Sequence, residues 1–133
     1  MMKYATFSDV TEEIVKVSFA GIDPTEQQFE AYLTEFEALL SSRKGFVVIL
    51  DGSKAKYLSS KLRIRQGNWI KENKGLIKVA CRKWCYVINS PLVKFIVQGI
   101  FLVQKPPVEY AVFTNYPEAE ADAKNRLEVQ LSA

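Results

Sequence analysis

The chain has 133 residues, 48% hydrophobic and 25% charged, which suits one domain that buries its own core without disulfide or metal staples. It contains no histidine, so Ser-His-Asp and Cys-His devices and imidazole metal ligands are excluded. The two cysteines, Cys81 and Cys85, form neither a disulfide framework nor a zinc set, and no carboxylate pair stands in an apolar setting, so no enzyme activity, metal or cofactor is expected.

The start, MMKYATFSDVTEEI, lacks the basic-then-apolar pattern of a signal peptide. The longest apolar region, near 92–103, is interrupted by Lys94 and Gln98 and is shorter than the roughly 20 residues of a spanning helix. The expectation is a cytoplasmic protein without a transmembrane segment.

Residues 2–7 and 13–20 read as strands joined by SDVTEE. Asp23, Pro24 and Glu26 supply a helix start, and Phe29, Tyr32, Leu33, Phe36, Leu39 and Leu40 make one apolar stripe after it. FVVIL, 46–50, has no alternation, the mark of a central strand covered on both faces. A helix then opens at Ser59-Ser60, with Leu62, Gln66, Trp69 and Ile70 inward and Gly67 permitting close approach to a neighbour. LIKVAC, 76–81, fits either helix or strand, and KWCYVI, 83–88, reads as a strand. Asn89 or Ser90 caps a helix with Pro91 in its first turn, stopped by Pro106-Pro107. VEYAVFT, 108–114, is a strand, and a last helix from Pro117 turns Ala119, Ala123 and Leu127 inward. The order β-β-α-β-α-β-α-β-α predicts a single α/β domain over residues 1–133. Its mainly parallel mixed sheet would have about five strands and about four helices on both faces.

The net charge is only +3, yet Lys54, Lys56, Lys61, Arg63, Arg65, Lys71, Lys74, Lys78, Arg82 and Lys83 face a single acid, Glu72, over residues 54–83. Such a segment suits an acidic or phosphorylated partner, or else complements the chain's own acidic helices.

FVVILDGSKAKYLSSKLR followed by KWCYVINSPLVKFIVQGIFLVQKPPVEYAVFTNYPEAEA resembles the SpoIIAA-like proteins of the STAS (anti-sigma-factor-antagonist) fold, related in shape to the CRAL-TRIO lipid-binding domain. The resemblance implies a STAS-like sandwich acting as a regulatory or protein-interaction module. In regulatory members an aspartate and serine follow the third strand, and an Asp-Ser-Ser-Gly segment opens the next helix, where a serine accepts phosphate. Asp51 and Ser53 match the first element. Ser59 or Ser60 matches the acceptor, although Leu58 stands before the serines and Lys61 after them. A serine at this place also serves as an ordinary N-cap, and the cap is the reading expected here. The partner-binding residues would be Asp51, Ser53, Lys54, Lys56, Lys61, Arg63 and Arg65, contacting an acidic protein partner.

The helix after Ser90 is apolar around nearly its whole circumference, including Phe95, Val97, Ile100 and Phe101. Its excess must be covered by neighbouring helices, a second subunit or an apolar ligand. A homodimer interface is expected. The alternative, from the likeness to CRAL-TRIO domains, is a lipid or other apolar molecule carried beneath this helix. Tyr57, Trp69 and Trp84 interleave with the basic residues, but Trp69 lies on an inner stripe and Trp84 in a strand, so nucleic acid is not the expected partner.

Overall fold

The apolar run that shows no alternation is covered on both faces: every residue of β3 (Phe46–Asp51) is buried. The computed structural model describes residues 2–132, with side chains through Glu128. Phe46, Val48 and Leu50 enter a large aromatic core, whereas Val47 and Ile49 enter a smaller one on the other face. β3 is parallel to β2 (Ile14–Phe19) on one side and to β4 (Cys81–Val87) on the other. Double coverage requires no polar face, which is why the sequence does not alternate.

The five strands lie in the order β1-β2-β3-β4-β5, with β1 (Ala5–Thr11) antiparallel to β2 and β5 (Glu109–Phe113) parallel to β4. Parallel neighbours in sequential order, joined by right-handed crossovers, send every crossover helix to the same face. Accordingly α1 (Glu26–Ser42), α2 (Ser60–Glu72), α3 (Lys74–Ala80) and α4 (Pro91–Val103) all contribute to the large core. Among the described residues only α5 (Tyr116–Ser132) covers the other face, packing Ala119, Ala123 and Leu127 on Ile14, Val47, Ile49, Cys85 and Val87. The α/β class and the mixed five-stranded sheet agree with the sequence, and the helices number five among the described residues rather than four.

Two local expectations are corrected, and one left open is resolved. β1 runs on to Thr11 instead of ending at residue 7, because it is an edge strand whose exposed Thr6 and Ser8 carry one solvent face. The α1 cap is Thr25 and not Asp23. Its Oγ accepts from the Gln28 N–H at 3.1 Å while Gln28 Oε1 accepts from the Thr25 N–H at 2.9 Å, a reciprocal pair. Glu26, which would have completed the box for Asp23, is turned to Lys61 instead. Finally, LIKVAC divides: residues through Ala80 belong to α3 and Cys81 begins β4. Asn73 separates α2 from α3, its Nδ2 donating to the Trp69 carbonyl at 2.9 Å.

The large core is built on aromatic contacts around Phe36, whose ring lies 5.0 Å from Trp69 and 5.5 Å from Trp84. Phe36 is fully buried, so truncating it to Ala would cost ~3–5 kcal/mol. α2 and α4 are locked by Gly67: a Cβ there would stand 2.4 Å from Val103 Cβ, so only glycine admits this approach. α5 is fixed by polar contacts as well, with Asp122 2.7 Å from Lys83 Nζ on β4 and Arg126 Nε 3.1 Å from Glu109 on β5. No helix among the described residues is long and apolar enough to cross a membrane.

Candidate interaction surface

The loop after β3 is organised by Asp51. Its Oδ1 accepts from the Ser53 N–H at 3.0 Å and the Ser53 hydroxyl at 2.6 Å, and its Oδ2 lies 3.6 Å from Lys16 Nζ. Asp51 is buried, so these residues position the loop from within, while Lys54 and Lys56 point outward without an ion pair among the described residues.

Ser59 is the N-cap of α2, its Oγ accepting from the Leu62 N–H at 3.3 Å. Ser60 follows as an exposed residue in the first turn. The four positions read as inward, Leu62, Gln66, Trp69 and Ile70, are all buried. Trp84 is buried in β4 as well, so neither indole presents a stacking surface.

The basic residues of α2 divide by side. Toward α1, Lys61 pairs with Glu26, and Arg65 holds both carboxylate oxygens of Glu30 at 2.8 and 3.0 Å with Glu72 at 3.3 Å. The hydrogen bonds from Arg65 hold the Glu30 carboxyl below its usual range, and the same contact raises the Arg65 pKa. These pairs are partly exposed and contribute on the order of 0.2–1 kcal/mol each.

Toward α4 the arrangement is different. Arg63 donates to the Leu58 carbonyl and lays its guanidinium 5.6 Å from the Tyr57 ring and 4.9 Å from the Phe95 ring. Gly99 admits it, since a Cβ there would stand 3.0 Å from Arg63 Cδ. Arg63 therefore joins the start of α2 to α4 by cation–π contact, worth roughly 0.5–1 kcal/mol per ring at such an exposed site.

Of the α4 residues singled out in the sequence, Val97, Ile100 and Phe101 are half-buried against the large core. Phe101 meets Tyr86 and Tyr110 edge-on at 5.6 and 5.2 Å. Phe95 alone of the four is turned outward, at 51% exposure. Leu92 and Leu102 share this outer side, Leu102 at 89%. Ile64 on α2 is exposed as well. The sequence did not distinguish Leu102 because nearly every residue around α4 is apolar; the structure turns Val93 and Ile96 inward and sets Val103 against Gly67.

Beneath α4 the core leaves a cavity of about 80 Å³ whose walls include Tyr32, Gln66, Trp84, Tyr86, Ile100 and Phe101. Tyr32 donates to Gln66 Oε1 at 2.8 Å within it. Sites for small organic ligands enclose roughly 300–1,000 Å³.

No family model matches the chain, and none of the curated proteins compared with it is significantly similar.

Proposed function

We propose that this chain is a non-enzymatic, STAS-like regulatory or interaction module. It grips an acidic protein partner on the surface formed by the start of α2 and the outward side of α4. The observation that carries this reading is the position of Arg63 between Tyr57 and Phe95. It joins the exposed rings of Tyr57 and Phe95 through one cation, with the exposed Lys54 and Lys56 just before Tyr57 in the same loop and the exposed Leu102 two turns beyond Phe95 on α4. The antiparallel first strand pair, the sequential parallel strands and the loop from Asp51 to Ser59 support the STAS-like assignment.

Charge favours an acidic partner over a second copy. The α1 side of α2 has carboxylates opposite its cations, but the α4 side has none among the described residues, and residues 90–108 contain no acid. A two-fold dimer through this surface would set the same cations against each other. The carrier reading is weaker on size, since 80 Å³ is far below a ligand site. Sedimentation separates the acidic partner from a second copy: the reading predicts monomers at high micromolar concentration, and a dimer dissociated by Phe95→Glu would replace it with the homodimer.

A further inference from the structure

We infer that the starts of β3 and β4 form a binding site for a small phosphorylated anion. This inference is independent of the interaction surface, which uses other residues. The site is an open polar cavity of about 450 Å³ lined by Lys44, Gly45, Lys78, Arg82 and Arg126, together with Val79 and Cys81. No carboxylate is among the lining residues. Arg126 has partners of its own, among them Glu109 at 3.1 Å from its Nε, so the charge argument rests on Lys44, Lys78 and Arg82.

The backbone is shaped to present Arg82. Phe46 pairs with Cys81 and Val47 with Lys83, so Arg82 is the extra residue of a bulge on β4. Bulges re-aim a side chain out of the alternation of a strand. Across from it Gly45 adopts φ 76°, and its N–H donates to the Ala80 carbonyl at 2.7 Å. The Gly45 carbonyl in turn accepts from Arg82 Nε at 3.1 Å, and a Cβ at Gly45 would stand 3.1 Å from Arg82 Nη2. Thus the guanidinium is held on one edge by backbone, and its amino groups form no ion pair among the described residues. Lys44, just before Gly45, and Lys78 on α3 are exposed and likewise form no ion pair among the described residues.

Lys44, Lys78 and Arg82 line one opening without ion pairs among the described residues, and an anion between them relieves their mutual repulsion. A fixed guanidinium fork suits the paired oxygens of a phosphate, with lysines adding point charge. The opening is wide enough to admit a phosphate ester or diphosphate from solvent. The site is at the strand N-termini, the end of the sheet opposite Asp51 and Ser59.

The test is calorimetric titration of the intact chain with pyrophosphate at about 0.15 M salt, where distant exposed charges are screened. Saturable 1:1 binding is expected, weakened at least tenfold in the double variant Lys44→Gln/Lys78→Gln and unchanged in Lys54→Gln/Lys56→Gln. Both pairs are exposed, and amide NMR of the unmodified chain should show the largest shifts at Gly45 and Arg82. Absence of saturable binding, equal weakening in both double variants, or equally tight binding of sulfate at matched ionic strength would overturn the assignment.

Discussion

Val103 on α4 stands where a side chain at Gly67 on α2 would be, with 2.4 Å between a Cβ at 67 and Val103 Cβ. Val103 shares its side of α4 with the buried Val93 and Ile96, while Phe95 and Leu102 point to solvent. Gly67→Ala would gain up to ~1 kcal/mol of helix propensity but must force the helices apart. Overpacking of this kind costs ~1–3 kcal/mol, so a lower urea midpoint is expected. A raised midpoint would show that the two helices are not held at this distance.

The two serines at the start of α2 should behave differently. Ser59→Ala removes the acceptor for the Leu62 N–H and is expected to cost about 1 kcal/mol in denaturant unfolding. Ser60→Ala should be near neutral, and Ser60→Asp should stabilise by roughly 0.3–1 kcal/mol through the helix dipole. If Ser60→Asp also abolishes partner binding at unchanged fold stability, a phosphate on the exposed Ser60 would act as a switch. Intact-mass analysis of protein from its source cells checks this directly.

Much of this arrangement was legible in the sequence, and the rest was not for identifiable reasons. The uninterrupted run at 46–50 gave the doubly covered strand, and helical spacing gave Leu62, Gln66, Trp69 and Ile70, because burial there follows from local periodicity. Gly67 was recognisable as a point of close approach. By contrast, the outward position of Phe95 was hidden because nearly every residue around α4 is apolar. The bulge that turns Arg82 outward depends on the pairing of β3 with β4, which no local pattern records. Asp23 was read as the α1 cap because Glu26 stands three residues after it, but Thr25 has Gln28 at the same spacing, and the reciprocal Thr25–Gln28 bonds make Thr25 the cap.

Acid should destabilise the fold through Glu30 and Glu109. Glu30 is held below its usual range of about 4.5 by hydrogen bonds from Arg65. Burial pushes Glu109 up, but the hydrogen bonds from Lys83 and Arg126 outweigh it and leave its carboxyl lowered too. A carboxylate with a lowered folded-state pKa contributes stability that is complete above its unfolded value and lost as pH falls through the folded one. Urea midpoints should therefore be flat near neutrality and fall below about pH 4.5. Glu30→Gln should flatten that fall by roughly 0.2–1 kcal/mol, the scale of a partly exposed pair. A variant with an unchanged acid limb would remove Glu30 from this account.

Burial pushes the Cys85 thiol up to about 12 and the Cys81 thiol up to about 11. Both cysteines are buried, and both should resist alkylation at pH 8 until the chain is unfolded. Modification of either in the native protein at the rate of a free thiol would contradict the packing around β4.

The most direct measurement of the interaction surface is photo-crosslinking from residue 95. A benzoylphenylalanine in place of Phe95 keeps an aromatic ring beside Arg63, and the same group in place of Val79, exposed elsewhere, serves as the control. In the source cells the account predicts one discrete heterologous adduct at position 95, with an acidic protein, and none shared with position 79. An adduct only with a second copy of this chain, or the same adducts at both positions, would contradict it.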